Sequence, residues 1–503
     1  MREQTFWLGS SAILLVTVLA AVPGAADVDR RLVDAVRSQD SSQARVLLGK
    51  RVNVNATSED GSTALLWAAH WNDVAMAEAL IRAGANPNAA NTFRMTPLSR
   101  ACTNASAPLV DLLLKAGADP NTAIATGETP LMTCASSGNA SAVRMLLARG
   151  ASVDAAEPAQ HQTAVMWAAA ERHADVVALL AEAGANLQAR TKKGFTALHF
   201  AAREGDIDTI KRLLAAGVDV NIRSLSDAPS AGRGAGYQAS LSAGSTPLLV
   251  ATVRGQVPTA LYLLERGADP NIGDAGFTPL HWAAGTWEGG VSNPVYGFSD
   301  PMSGIPDRQA KLQLVHALLA RGADPNGRMT RRPPTFVGGY DDAAGATPFL
   351  LASAAADVEM MKILLAAGAD PTLITETKTT AVMAASGLNR GIGESALTEA
   401  QALAAVRFLL DLGADGRGAT TNGENALFGA AYRGWNTLLQ LLIEKGADVN
   451  AVSKAGVTPW LAASGFGDRL GGVLYNTEGA NILLKHGADP KLGKPCQAQI
   501  KCR

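Results

Sequence analysis

At 503 residues the chain exceeds what one ordinary hydrophobic core supports, so several domains or a repeat array are expected. Charge is balanced, 44 Lys and Arg against 45 Asp and Glu, which leaves no basic excess of the kind general nucleic-acid binding needs. Aromatics make up only 5% while glycine reaches 50 residues, a composition of tight turns and closely packed helices, not of a large aromatic core.

In chain order the first element is apolar. "MREQTFWLGSSAILLVTVLAAVPGAADVDRR" places Arg2 ahead of an apolar run from about Phe6 to Val22, followed by the small residues Gly24, Ala25 and Ala26. This layout predicts a secretory signal peptide over residues 1–26, cut near Ala25 or Ala26. The rival reading, an uncleaved anchor, needs about 20 apolar residues, and the run is shorter. No Cys follows it, which argues against a lipoprotein anchor. The mature chain is expected to be periplasmic or secreted, with no membrane insertion.

From residue 27 onward the chain repeats itself. A glycine closes "LIRAGANPN" (Gly84), "LLKAGADPN" (Gly117), "LLARGASVD" (Gly150), "LLAEAGANL" (Gly184) and "LLAAGVDVN" (Gly217), then recurs at Gly267, Gly322, Gly368, Gly413, Gly446 and Gly487. The early intervals are 33, 33, 34 and 33 residues. Ahead of each glycine stands an anchor threonine: Thr63, Thr96, Thr129, Thr163, Thr196, Thr246, Thr278, Thr347, Thr380 and Thr458, with Asn425 substituting once. The anchor-to-glycine distance is 21 in eight of eleven cases, a regularity that excludes coincidence. An irregular capping unit over residues 27–55 precedes them, with Arg51 where glycine is expected and Arg30, Arg31 and Asp34 as its polar outer face.

The unit resembles the ankyrin repeat: a period near 33, a T-P-L-H-x-A opening and a glycine ending the second helix. The nearest copies are "GFTALHFAAREGDIDTIKRLLAAGVDVN" and "GFTPLHWAA". The resemblance implies an all-α ankyrin-repeat solenoid of about twelve helix-turn-helix units with short hairpins, covering nearly all of the mature chain. The residue types agree with it. Thr can N-cap the first helix, Pro suits its first position, the Leu-Leu pair buries the second helix and Gly supplies a positive φ at its end. "ADPN" and "ADVN" then read as polar turns.

The regular part spans residues 56–221. Beyond it, residues 222–243 form an inserted hairpin loop, and residues 244–490 carry repeats with further insertions at 286–308, 327–344, 386–401 and 464–479, before a tail over 491–503. Two insertions lie between a glycine and the next anchor, the others between the helices of one repeat. They read as loops displayed on a scaffold, either functional or neutral drift.

Catalytic signatures are missing from the sequence: no H-E-x-x-H, G-x-S-x-G, P-loop or C-x-x-C. His199 and His281 occupy the H of T-P-L-H, where the family's histidine bonds between units; His173 matches the inter-helix turn. The expected function is a non-catalytic protein-interaction scaffold, exported, monomeric, with a protein partner and without nucleic acid, cofactor or metal. One alternative is a regulatory or protective partner of a single exported enzyme. A lesser one is a hydrolase whose site in the insertions would use Ser292, Ser299, Asp300, Ser303, Asp307, Asp341 and Asp342.

Trp67, Trp167, Phe200 and Trp282 all stand four residues after their anchor, a position that in the family faces the concave groove. They form either a binding ladder or packing between repeats. Trp71 and Trp287 come later and are expected to be more exposed, and Tyr296 and Phe298 add aromatics to the 286–308 insertion. Arg190, Lys192, Lys193, Arg223, Arg233, Arg328, Arg331 and Arg332 suggest a basic rim, diluted by Asp227, Asp274, Asp341 and Asp342. Cys102 and Cys134 replace small buried residues and read as free thiols in preference to a bridge. Cys496 and Cys502 in the tail read as a disulfide. Sequons at Asn55, Asn104 and Asn139 would matter only in a eukaryotic secretory pathway.

Overall fold

The computed structural model describes residues 29–225, 243–286, 305, 307–331, 344–388, 397–465 and 475–493. The predicted signal peptide, Trp287, Tyr296, Phe298, Arg332, Cys496 and Cys502 lie outside the described residues. Within those, the chain forms 24 helices and no strand beyond two isolated bridges, Thr57 with Thr63 and Ala156 with Thr163. The described residues fall into two compact bodies, one made of those up to 104 together with 108–119, the other of 105–107 together with those from 120 onward. No described helix is long and apolar enough to cross a membrane.

Each repeat is built as its anchor predicts. Thr63 accepts the Leu66 amide at 3.2 Å, and Thr96, Thr246, Thr347 and Thr458 cap their helices in the same way, each with Pro at the next position. Asn425 does the same work by accepting from the Leu427 amide at 3.1 Å. The first helix is buried along Leu and the Ala pair: Leu65, Ala68 and Ala69 in one repeat, Leu198, Ala201 and Ala202 in another, all at 0% exposure. At the end of the second helix Gly84 has φ +91°, and nothing lies within 4 Å of where its Cβ would be, so conformation and not space selects glycine. Arg51, the exception in the first unit, also adopts φ +53°, at a cost of about 1 kcal/mol.

The "PN" and "VN" turns are more than polar spacers. Asn55 donates its amide to the Gly84 carbonyl at 3.2 Å and accepts the Asn86 N–H at 2.8 Å, thereby clamping the next repeat. Asn88 clamps Gly117 and Asp119, and Asn121 clamps Gly150 and Ser152. Asn221, Asn271, Asn326 and Asn450 repeat the device. At one rung Asp154 takes the place of Asn and only accepts, from the Asn186 N–H at 2.7 Å. A carboxylate has no proton for the glycine carbonyl that the other rungs bind. Asp154→Asn is therefore expected to raise stability by about 1 kcal/mol, read as a higher urea midpoint; a lower midpoint would mean that the Gly184 carbonyl is not waiting for a donor.

Insertions leave this register intact. Where residues 222–243 depart, the Ser224 N–H donates to the Ser245 carbonyl at 2.8 Å and the Gly244 N–H to Ser224 at 2.7 Å. At the second hairpin insertion Met329 pairs with Ala346 and Gly345 with Met329, at 2.9 and 2.8 Å. Both excursions are thus closed at the base by a backbone pair. Two of the three insertions between helices return through a longer second helix, 13 residues in Arg308–Ala320 and Glu399–Asp411, while the third returns through a nine-residue helix, Thr477–Lys485, the usual length. Asp307 N-caps the first of these through the Gln309 amide, and Arg308 grips Asp357 and Glu359. Lys311 donates to the Gly285 carbonyl at 2.8 Å, and burial pulls its ammonium down to about 8. At the 386–401 insertion Leu388 tucks into the core, and Gly429 makes room: a Cβ there would lie 2.5 Å from the Leu388 nitrogen and the Ser386 oxygen.

Candidate functional site

The first body gathers the chemistry that the repeats leave over. On the helix Ala64–His70, Trp67 and His70 stand three residues apart and share a face, and Trp71, the C-cap, follows one step on. Trp67 and Trp71 stack with centroids 6.4 Å apart, while His70 meets Trp71 edge-on at 4.6 Å and Trp67 at 5.4 Å. The preceding repeat contributes Arg37, the last residue of its first helix, whose guanidinium lies 5.3 Å over the Trp67 ring. The following repeat contributes Arg100 from the helix Pro97–Thr103. Burial holds His70 below the usual imidazole range, with the Arg100 charge adding to it.

The cluster is held rigidly because helix ends need partners. The Trp71 indole N–H donates to the Arg37 carbonyl at 3.2 Å, and the Asn104 amide donates to the Ala69 and His70 carbonyls at 2.9 and 3.0 Å. Each repeat thus caps the first helix of the one before. Two other polar atoms find nothing: Trp67 Nε1 and Arg100 Nε are buried without a hydrogen-bond partner among the described residues. Arg37 and Arg100 make no ion pair there either, whereas Arg30, Arg31, Arg82 and Lys115 of the same body all do. Trp71 keeps 42% of its surface exposed.

The remaining aromatics at the fourth position divide. Trp167 is half-buried, like Trp67, and its indole N–H is buried without an acceptor among the described residues. Trp282 is 1% exposed, packed with Leu249, Phe277, Met329 and Leu351, and is unavailable to a partner. Phe200 is buried beneath the Arg203 guanidinium, which is 5.0 Å from its centroid.

Family models of ankyrin repeats match residues 32–124, 76–157, 131–224 and 394–493, and the single-repeat model matches residues 243–275 and 344–376, together more than half of the chain. This chain belongs to the ankyrin-repeat family. No curated protein matches it. Among solved structures, the crystal structure of the human ASB11 ankyrin repeat domain is similar at 25% identity, covering 48% of this chain and 98% of that one, with a TM-score of 0.40.

Two of the ankyrin repeats keep the family histidine, and both carry the inter-repeat bond the motif implies. His199 accepts the Thr196 N–H at Nδ1 (3.2 Å) and donates from Nε2 to the Ser245 carbonyl at 2.9 Å. His281 does the same between Thr278 and Gly327, at 3.2 and 2.9 Å. Burial pushes each imidazole down to about 4, against the weaker upward pull of the carbonyl it binds. His173 likewise reaches the Ser136 carbonyl, at 2.9 Å.

The predicted basic rim is largely structural. Arg190 donates to the Gly194 and Arg223 carbonyls, Lys192 to Pro158, Arg328 to Ile374 and Arg331 to Asp274, at 2.6 to 3.0 Å. Arg223 pairs with Asp274 at 2.9 Å. Lys193 stays exposed beside them. These cations stitch neighbouring ankyrin hairpins together, a use invisible without the stacking. Of the acids and serines proposed for a hydrolytic site, Asp307 is occupied as an N-cap and the others lie outside the described residues. No group of three His, Cys, Asp or Glu among the described residues is arranged to hold a metal ion.

The cysteine reading is corrected. Cys102 and Cys134 are not free thiols: both are disulfide-bonded, and both are fully buried. A small buried site suits a half-cystine as well as a thiol, so burial alone misled. The sequon asparagines are also engaged. The side-chain amides of Asn55, Asn104 and Asn139 each donate to a neighbouring repeat's carbonyl, so a glycan there would displace a structural bond.

Proposed function

We propose that this chain is an exported, non-catalytic scaffold that binds a protein partner through its N-terminal repeats. Ankyrin repeats generally serve as protein-interaction scaffolds, and proteins built from them are typically non-enzymatic. The observation that carries the reading is the Arg37–Trp67–Trp71–Arg100 surface: aromatic area on a helix held by inter-repeat bonds to the Arg37, Ala69 and His70 carbonyls, beside two guanidinium groups with no ion pair among the described residues. Rigid aromatic and arginine anchors of this kind dominate protein interfaces. Export is supported by the N-terminal sequence and by the disulfide-bonded state of Cys102 and Cys134, which suits an oxidising compartment.

The test is capture from an extracytoplasmic extract with residues 27–503 as bait. A second bait has residues 288–304 replaced by a short turn, keeping the Asp307 cap and the Arg308 bridge. A third carries Arg37→Glu. A partner held by the first two and lost by the third places recognition on the N-terminal surface. A partner lost only with the insertion moves it to residues 288–304, and no specific capture by any bait contradicts the scaffold reading. Export has its own readout: the N-terminal residue of the purified protein, near Asp27 after cleavage and Met1 without it.

A further inference from the structure

We infer that the surface made by Arg37, Trp67, His70, Trp71 and Arg100 docks an extended acidic segment of a partner protein, its carboxylates on the two arginines and an apolar side chain on the tryptophans between them. The inference rests on the scaffold reading and deepens it by naming the chemistry of the partner.

Charge decides the sign. The two arginines come from the repeats on either side of the aromatic pair, and neither has a carboxylate partner among the described residues, whereas Arg30, Arg31, Arg82 and Lys115, half of the other eight Arg and Lys described in this body, do. Asp34, exposed on the helix of Arg37, makes no ion pair with either. A cationic ligand is disfavoured, because Arg37 already covers the Trp67 face and Arg100 adds a second positive charge. A guanidinium that has lost water on one side gains most from a carboxylate, which can take two of its N–H groups at once. Arg100 is in that state, with Nε buried and unpartnered.

Geometry decides the form. Three successive repeats contribute, Arg37 from the first, Trp67, His70 and Trp71 from the second and Arg100 from the third, so the surface runs along the stack and suits an extended chain. Trp71, 42% exposed and backed by Trp67, offers apolar area to one side chain between the two charged ends. His70, held neutral by burial and by Arg100, would gain a proton more readily once a carboxylate lies beside it.

The probe is a labelled pentapeptide of two glutamates, phenylalanine and two glutamates, titrated into residues 27–503 by fluorescence anisotropy. Controls are the same peptide with lysines for glutamates and a short oligodeoxythymidine. Saturable binding of the acidic peptide below about 1 mM is expected, weakened at least about tenfold by Arg37→Glu and by Trp71→Ala, and by added salt. Trp71→Phe should recover part of the loss, Trp167→Ala should change nothing, and the His70 ring-proton titration should move to higher pH with peptide bound. Equal binding by Arg37→Glu overturns the inference. So does the absence of saturation, or binding of the lysine peptide or the oligonucleotide as tightly as the acidic one. A natural partner captured equally by the intact and Arg37→Glu chains would leave the scaffold reading standing and remove this one.

Discussion

Between pH 6.5 and about 4 the chain is expected to lose on the order of 3 kcal/mol of folding free energy for each of His199 and His281. In the folded state each imidazole is buried and neutral, with Nδ1 already accepting an anchor-threonine N–H. A proton at Nδ1 would set donor against donor. The unfolded chain binds that proton from about pH 6.5 downward while the folded chain refuses it until about pH 4. The contribution is thus fully present above pH 6.5, falls as the pH is lowered through this window, and levels off below it.

Other repeats mark the control. At the same position they carry Leu66, Met132, Met166, Leu249, Leu350 and Met383, so a His199→Met, His281→Met double variant is compatible with the packing. It should be less stable near neutral pH, having lost its bonds to Ser245 and Gly327, yet show a much flatter profile on acidification. Urea midpoints at half-unit pH steps read both effects. A wild-type curve no steeper than the double variant's would sink the assignment.

Trp282→Ala should cost about 3–5 kcal/mol, the range for truncating a large aromatic in a core that cannot collapse. Its ring is 1% exposed, tilted against Phe277 at 6.0 Å and surrounded by Met329, Ala346, Leu350 and Ala384 from the repeats that follow. Trp167→Ala, at the equivalent position of a regular repeat but half-buried, should cost only about 1–2 kcal/mol. Hydrogen exchange in each repeat separates the two, because a stacked array responds locally. Equal costs would mean that the position, and not the depth of burial, sets the energy.

The fold was legible because the anchor and glycine recur at a fixed spacing, and each residue type in the repeat has one local task. The candidate site was half legible. Trp67 and Trp71 stood out as aromatics in a chain poor in them, but Arg37, His70 and Arg100 did not. Those three converge only when three repeats stack, and no spacing within one repeat announces it. For the same reason Arg190, Lys192, Arg328 and Arg331 read as a free basic rim, when the carbonyls they bind are distant in sequence. The asparagines of "PN" and "VN" looked like turn formers because their second partner lies a whole repeat away.

Those asparagine clamps also give the molecule a clock. Asparagine is thermolabile, and a following glycine leaves its backbone nitrogen unhindered to attack the side-chain amide carbonyl, expel ammonia and close a cyclic imide that water reopens; Asn326 precedes Gly327. Its amide holds the Gly368 carbonyl at 3.0 Å while its oxygen accepts the Asp370 N–H at 2.7 Å. Either way the imide opens, to aspartate or to isoaspartate with one extra methylene in the main chain, the product carries a carboxylate able to accept but not to donate, as Asp154 already does. Among the clamps named above only Asn326 precedes a glycine, so the ladder would age first at the rung between the Thr278 and Thr347 repeats.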